Sequence, residues 1–277
     1  MKLPDSKLSI KLAAFDIDDT LIDDEKRLSD RTTRALREAA KKGIYVVLCS
    51  GRAENGILPY VRALNIAGSQ QGRFLIAFNG AEIFDLHTRS EIYSRTLSPD
   101  IQKFVNKEAE KRGLAAITYD SSTIYAGVDS KWARADAELC SLNFEKIDNY
   151  GQFLETPRPK MLVPASPKEV EEFRKFLLKA IGDKVDVFIS KPIFLEVLPR
   201  NIGKGNAILW LCDHLKINPK EVICFGDSMN DESMLTDVGI GVAMENALDY
   251  IKSVAMYTTR YDNNKDGVAD FLENFVL

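Results

Sequence analysis

Ile10-Lys11-Leu12-Ala13-Ala14-Phe15 runs directly into Asp16-Ile17-Asp18-Asp19-Thr20-Leu21. The largely apolar run predicts a short buried strand, and the aspartates then stand at its carboxyl end. In an open parallel sheet, ligands bind at that edge. Aspartate is depleted in strands and unpaired charge is almost never buried. Asp16, Asp18 and Asp19, crowded at one strand end, repel one another unless a cation neutralises them. A hard divalent cation such as Mg²⁺ takes carboxylate oxygens and keeps part of its shell for water and a phosphate. The stretch therefore suggests a metal site built for phosphoryl chemistry.

Working outward, strand and helix signals alternate. A helix is expected over 30–42, with Ala35, Leu36 and Ala39 on one face and Gly43 as its stop. Residues 44–48 form a continuous apolar run, as in a strand covered on both faces. Residues 52–64 look helical despite Gly56 and Pro59, and 74–78 form a strand ending at the turn dipeptide Asn79-Gly80. This is the order of a doubly wound parallel sheet. The pattern resumes after Ile202, with a helix over 207–215 and strands over 222–225, 239–243 and 255–259.

The middle reads differently. Helices over 98–112, 131–140 and 169–181 accompany strand-like runs at 115–119, 123–126, 160–163, 185–189 and 194–198, which suggests an α+β unit with an antiparallel sheet. The expected fold is α/β: a discontinuous Rossmann-like core over 1–85 and 199–277, with an α+β domain inserted over 86–198.

Composition narrows the function. The chain has 277 residues, 45% hydrophobic and 28% charged, with a net charge of −4. With no basic field, nucleic-acid binding is not expected. Asp5, Lys7 and Lys11 interrupt any apolar leader, and no run approaches the length of a membrane span. Cys49, Cys140, Cys212 and Cys224 lack C-x-x-C spacing, so neither a disulfide framework nor a zinc site is expected, and a cytoplasmic location is the default. Nothing sets an oligomeric state.

Polar clusters follow the other core strands too. Ser50-Gly51-Arg52 follows the second, where Gly51 allows close backbone approach and Ser50 with nearby N–H groups can cradle phosphate oxygens. A lone Ser-Gly is more often an ordinary loop, but the aspartates nearby reverse those odds. Gly226-Asp227-Ser228-Met229-Asn230-Asp231 brings carboxylates to a further strand end, although Asp227 could also cap a helix. Lys204, in Gly203-Lys204-Gly205, opens a helix. Helix amino termini favour anions, so a lysine there makes sense if it meets one.

FDIDDTL, LCSGR, the Lys204 segment and GDSMND, in this order, resemble the four motifs of the haloacid dehalogenase-like (HAD) phosphatase superfamily. The long insertion between the second and third resembles the type IIB cap of Cof-like hydrolases. Asn79-Gly80-Ala81 and Asp266-Gly267-Val268 extend the similarity over essentially the whole chain. The resemblance implies a Mg²⁺-dependent phosphatase of small phosphorylated metabolites, sugar phosphates among them, working through an aspartyl-phosphate. A phosphomutase, or a phosphate-binding regulatory protein, is the alternative.

By the same resemblance Asp16 is the nucleophile and Asp18 the general acid and base, with its backbone carbonyl also on the metal. Asp227 ligates the metal and Asp231 holds the ligand shell, while Ile17, Ser50, Gly51, Lys204 and Asn230 grip phosphoryl oxygens. The cap is expected to close over the site and set specificity, with loops at 120–123 and 191–192 as candidates.

Two departures stand out. Position 19 is Asp where the family usually has Gly, and Arg200 precedes Lys204 in a segment poor in small residues, where a surface role outweighs a substrate contact. Asp262-x-Asn264-x-Asp266-Gly267 matches a calcium-loop pattern, but the strand expected before it argues for a plain turn. Gly239-x-Gly241 lacks the third glycine of a dinucleotide site, and His87 and His214 stand alone.

Overall fold

Strand β1 (Leu12–Asp16) is buried along its whole length in the computed structural model, which describes residues 2–277. Helix α1 (Asp30–Lys41) starts where the Ser29 side chain accepts a hydrogen bond from the Thr32 amide, and it buries Thr32, Ala35, Leu36, Ala39 and Ala40. Then come β2 (Tyr45–Cys49), α2 (Glu54–Leu64), β3 (Phe74–Ala77), β4 (Glu82–Asp85) and β5 (Ser90–Ser94).

A second set follows: α3 (Pro99–Glu110), β6 (Ile117–Tyr119), β7 (Thr123–Ala126), α4 (Lys131–Cys140), β8 (Asn143–Lys146), α5 (Tyr150–Phe153), β9 (Met161–Pro164), α6 (Pro167–Ile181), β10 (Val185–Lys191) and β11 (Phe194–Pro199). The chain closes with α7 (Lys204–Leu215), β12 (Val222–Gly226), α8 (Glu232–Thr236), β13 (Ile240–Ala243), α9 (Asp249–Val254), β14 (Tyr257–Thr258) and α10 (Gly267–Phe275). Two units result. One holds the chain up to Gly51 with Ile57–Ile92 and Gly203–Leu277, the other Arg52–Gly56 and Tyr93–Ile202.

The first unit is built on an eight-stranded sheet of order β14-β13-β12-β1-β2-β3-β4-β5. Pairing is parallel from β14 through β3, and β4 is antiparallel to β3. From β1 the chain winds outward through β2 and β3, and after the insertion it winds the other way from β12. The switch point therefore lies between β1 and β12, where such sheets bind ligands. Phe15 and Phe225 pair across these strands and stack at 5.1 Å, with Phe271 of α10 edge-on to Phe225 at 5.5 Å. This is the doubly wound α/β fold that the sequence predicts.

The sheet also extends further than expected. In β4, Glu82 and Asp85 are buried along with Ile83 and Phe84, so alternation of apolar and polar residues did not mark it as a strand. Arg73 neutralises Asp85 with two guanidinium hydrogen bonds, Nε at 2.7 Å and the other from Nη2. The first unit consequently runs on to Ile92, past the turn at Asp85.

The second unit carries a six-stranded sheet of order β10-β11-β9-β6-β7-β8. From α3 and α6, Val105, Ala109, Val170, Phe173 and Leu177 pack against Met161, Val163, Leu195 and Val197 of the sheet. Ser166 opens α6 with a capping box to Glu169. The sheet is mixed rather than antiparallel, because β8 pairs parallel to β7. Neither β8, which is mostly exposed, nor the single turn α5 has a periodicity that marks it in the sequence. The carboxylate of Asp120 accepts from the Ser122 and Thr123 amides, both at 2.8 Å, and from the Tyr125 hydroxyl at 2.6 Å. That residue holds its own hairpin together.

Arg200 donates to the Gly182 carbonyl at 2.7 Å and lies 3.7 Å from Asp186, all within the second unit. A short strand, β14, precedes the Asp262 turn, so the entering helix of a calcium loop is absent there. Among the described residues, no helix is long and apolar enough to cross a membrane.

Candidate active site

Strand register assembles the site. Because Phe15 pairs with Phe225, Asp16 is set beside the Gly226-Asp227 corner, and because Asp16 pairs with Cys49, Ser50 follows alongside Ile17. Helix α7 begins at Lys204, whose side chain is wholly buried. Its ammonium donates to Asp16 Oδ1 and, at 2.5 Å, to Asp231 Oδ1. A lysine at a helix amino terminus is thus explained by two carboxylates rather than by solvent.

Asp231 organises the loop after β12. Its Oδ2 accepts from the Asp227 amide at 2.9 Å and the Ser228 amide at 3.1 Å, and its own amide donates to the Ser228 carbonyl at 3.0 Å. Asp227 in turn accepts from the Thr20 hydroxyl at 2.9 Å. Asp16, Asp227 and Asp231 are all buried, and one carboxylate oxygen from each lies within 4.8 Å of the others. Asp18 is half-buried and stands outside that cluster; Asp19 is exposed.

Fully ionised, the three carboxylates beside one ammonium would leave two negative charges in a buried place. The titration behaviour follows. Burial, then the neighbouring Asp231 and Asp227, hold the Asp16 carboxyl well above the usual range against the pull of Lys204. Burial and Asp231 likewise push Asp227 up to about 7, opposed by the Thr20 hydroxyl. For Lys204, burial favours losing the proton, but Asp16 and Asp231 outweigh it and keep the ammonium charged. Hard oxygen donors with excess negative charge suit a divalent cation of the Mg²⁺ type, and Asp16, Asp227 and Asp231 could hold it.

The predicted phosphate residues gather around the same sheet edge. Ser50 is buried, its amide donates to the Ile76 carbonyl at 3.0 Å, and its carbonyl accepts from the Asn79 amide at 2.9 Å. Asn230, on the loop with Asp231, accepts at Oδ1 from the Ser228 hydroxyl at 2.8 Å and donates from Nδ2 to Asn79 Oδ1 at 3.0 Å. The Ile17 carbonyl accepts from the Leu21 and Ile22 amides, which closes the loop after β1 into a tight turn.

Asp19 is explained by its backbone. It has φ 59°, and its carbonyl accepts from Asn246 Nδ2 at 2.7 Å. The left-handed region favours Gly and tolerates Asp and Asn, so the backbone accounts for Asp19 at this position. Sequence reading gave no role to Thr20 and placed Asn79 in a turn and in the family resemblance, but not among the site residues. Spacing offered no signal for the Thr20–Asp227 bond, because its partners lie 207 residues apart.

An open parallel sheet with crowded carboxylates and a buried lysine at its switch point is the layout of a phosphoryl-transfer enzyme. A family model described as haloacid dehalogenase-like hydrolase matches residues 13–272. The chain belongs to that family, and is a phosphatase, a phosphoric monoester hydrolase. It is 29% identical over 279 residues to the 5-amino-6-(5-phospho-D-ribitylamino)uracil phosphatase YcsE of Bacillus subtilis, covering 100% of both proteins. The crystal structure of a haloacid dehalogenase-like hydrolase from Bacteroides thetaiotaomicron matches with a TM-score of 0.88 and 30% identity, over 95% of this chain and 98% of that one. The HAD subclass IIB sugar phosphatase BT4131 matches with a TM-score of 0.80 and 25% identity, over 95% and 98%.

Proposed function

We propose that the protein is a Mg²⁺-dependent phosphatase of small phosphorylated metabolites, sugar phosphates foremost, that works through a phosphorylated Asp16. The observation that carries this reading is the buried meeting of Asp16, Asp227 and Asp231 with Lys204 at the sheet's switch point. A carboxylate is a recognised covalent acceptor for a phosphoryl group. In the first half-reaction an Asp16 oxygen attacks phosphorus, and the bond to the leaving oxygen breaks as Asp18 gives it a proton. In the second, Asp18 takes a proton from water, which attacks phosphorus, releases inorganic phosphate and regenerates Asp16.

One residue, Ile17, separates these carboxylates on one tight turn, so they can address phosphorus and the ester oxygen independently. Lys204, Ser50, Asn230 and the backbone N–H groups of Ile17 and Gly51 grip phosphoryl oxygens. A cation bound by Asp16, Asp227, Asp231 and the Asp18 carbonyl supplies charge neutralisation for the incoming dianion. The substrate class is supported by relatives: one is named for a phosphorylated ribitylaminouracil and another for sugar phosphates.

The test is phosphate release from an aryl phosphate and from a panel of sugar and nucleotide-precursor phosphates, with Mg²⁺ and then with EDTA. Turnover that EDTA abolishes supports the reading. Retention of half the rate in Asp16→Asn would sink the nucleophile assignment, and release that ignores EDTA would sink the metal dependence.

A further inference from the structure

We infer that Asn79 is a positioning residue of the phosphate site, acting through Asn230 and the Gly51 backbone. The inference rests on the phosphatase reading and adds a residue to it. Asn79 lies just past β3 on a loop that the chain bends sharply: Phe78, Asn79 and Gly80 have φ of 49°, 56° and 100° in succession. A left-handed conformation is an outlier for a residue as bulky as Phe78, and consecutive ones persist only where the surroundings impose them. Here the surroundings are the site itself. The Asn79 amide donates to the Ser50 carbonyl at 2.9 Å, while the Ser50 amide donates to Ile76 of β3 at 3.0 Å. At Gly80 a Cβ would fall 2.5 Å from the Gly203 carbonyl oxygen, one residue before Lys204.

The Asn79 side chain is buried and touches two groups expected to grip phosphate. A Cβ on Gly51 would come within 3.1 Å of both Oδ1 and Nδ2 of Asn79, so this amide walls the open side of the Gly51 backbone. On its other side Oδ1 accepts from Asn230 Nδ2 at 3.0 Å, while Asn230 Oδ1 accepts from Ser228 at 2.8 Å. In this arrangement the Asn230 amide turns its nitrogen edge to Asn79 and its oxygen edge to Ser228. An amide nitrogen has two N–H groups. With one committed to Asn79, the plane and direction of the other are fixed before a phosphoryl oxygen arrives. Asn79 thereby links the loop after β2 to the loop after β12.

Asn79→Gly tests this without backbone strain, because glycine accepts the left-handed conformation. Wild type, N79G, N230A and the double variant are compared for kcat and KM on an aryl phosphate with Mg²⁺, for inhibition by inorganic phosphate, and for melting temperature. The inhibition constant for phosphate in N79G is expected to rise by about tenfold, within the range found when a supporting hydrogen bond to a ligand-gripping group is lost. Adding N79G to N230A is expected to change it by less than about twofold, since contacting residues that act as one unit are not additive. The melting temperature should stay within about 5 °C of wild type.

An unchanged phosphate constant in N79G, effects that multiply in the double variant, or a melting point lower by more than about 10 °C would each overturn the proposal, the last by showing a structural role. A wild type that neither turns over nor is inhibited by phosphate would remove the phosphatase reading, and this inference with it. An active wild type beside an unaltered N79G removes the inference alone.

Discussion

The Thr20 hydroxyl and the Asp227 carboxylate, one on the loop after β1 and the other on the loop after β12, share a buried 2.9 Å hydrogen bond across the switch point. That bond favours the charged carboxylate and fixes its Oδ1. Partners of this kind orient the ligands of a metal site, and their loss typically costs 10- to 100-fold in metal affinity, roughly the same as losing activity at limiting metal. Thr20→Val keeps the shape and removes the donor. It is expected to raise the Mg²⁺ concentration for half-maximal activity by about 10-fold or more, with kcat at saturating Mg²⁺ little changed. An unaltered Mg²⁺ titration would separate Thr20 from the proposed metal site.

The ionised state proposed for catalysis at Asp16 and the stability of the fold pull in opposite directions. Its carboxyl is held above the usual range by burial and by Asp231, so the folded state binds a proton there more tightly than the unfolded chain does. Stability from such a group is present at low pH and is lost as pH rises through the unfolded carboxylate range toward the folded value. Without metal, ionising this group in the folded state therefore works against the fold. Asp16→Asn removes that charge and leaves Lys204 its bond to Asp231. In EDTA the variant is expected to melt several degrees above wild type, roughly what 1–2 kcal/mol gives in a protein of this size, while turnover falls by about 10³-fold or more. A lower melting point in EDTA would contradict the charge count of the site.

The acid limb of stability should report Asp85. Hydrogen bonds from Arg73, and then from the His87 and Thr88 amides, hold this carboxyl well below its usual range despite partial burial. A depressed carboxyl contributes stability that is present above the unfolded value of about 3.9 and lost as pH falls below it. Urea unfolding of wild type between about pH 6 and pH 3 should show that loss. Asp85→Asn should be less stable at pH 6 by about 1–3 kcal/mol and show a flatter decline, because the guanidinium then bonds to a neutral acceptor at a buried position. Parallel pH profiles for the two proteins would assign the acid limb elsewhere.

Much of the fold was legible because the parallel strands are buried on both faces and spell continuous apolar runs, as in Ala13, Ala14 and Phe15 or Val46, Val47 and Leu48. The carboxyl-end clusters stood out for the converse reason, since charge beside such runs is costly without a partner. What escaped the sequence depends on pairings between distant segments. Glu82 and Asp85 look like loop residues until Arg73 is placed beside Asp85. Lys204 could be anticipated as a cation facing an anion, but the identity of its two carboxylates requires the register of β1 against β12. Asp19 looked like an added charge, whereas its φ of 59° shows a backbone requirement that no side-chain pattern encodes.

Lys160 and Glu196 extend the same lesson to the second unit. Lys160 comes just before β9 and Glu196 lies in the neighbouring β11, both buried, with Nζ 3.4 Å from Oε2. The Lys160 ammonium also lies 4.6 Å from the centre of the Tyr119 ring, whose hydroxyl donates to Asp136 at 2.6 Å. Burial lowers the proton affinity of Lys160, yet Glu196 and Asp136 outweigh it and keep the ammonium charged. Removing one member of a buried pair strands the other without compensation, at a cost of about 3–5 kcal/mol, whereas replacing both with apolar residues of similar volume is often neutral. Lys160→Met alone is therefore expected to destabilise the protein by about 3 kcal/mol or more in urea unfolding, and Lys160→Met with Glu196→Leu to recover most of that loss. If the double variant is no more stable than the single one, Lys160 owes its charge chiefly to Asp136, and adding Asp136→Asn to Lys160→Met should then restore what the Glu196 substitution does not.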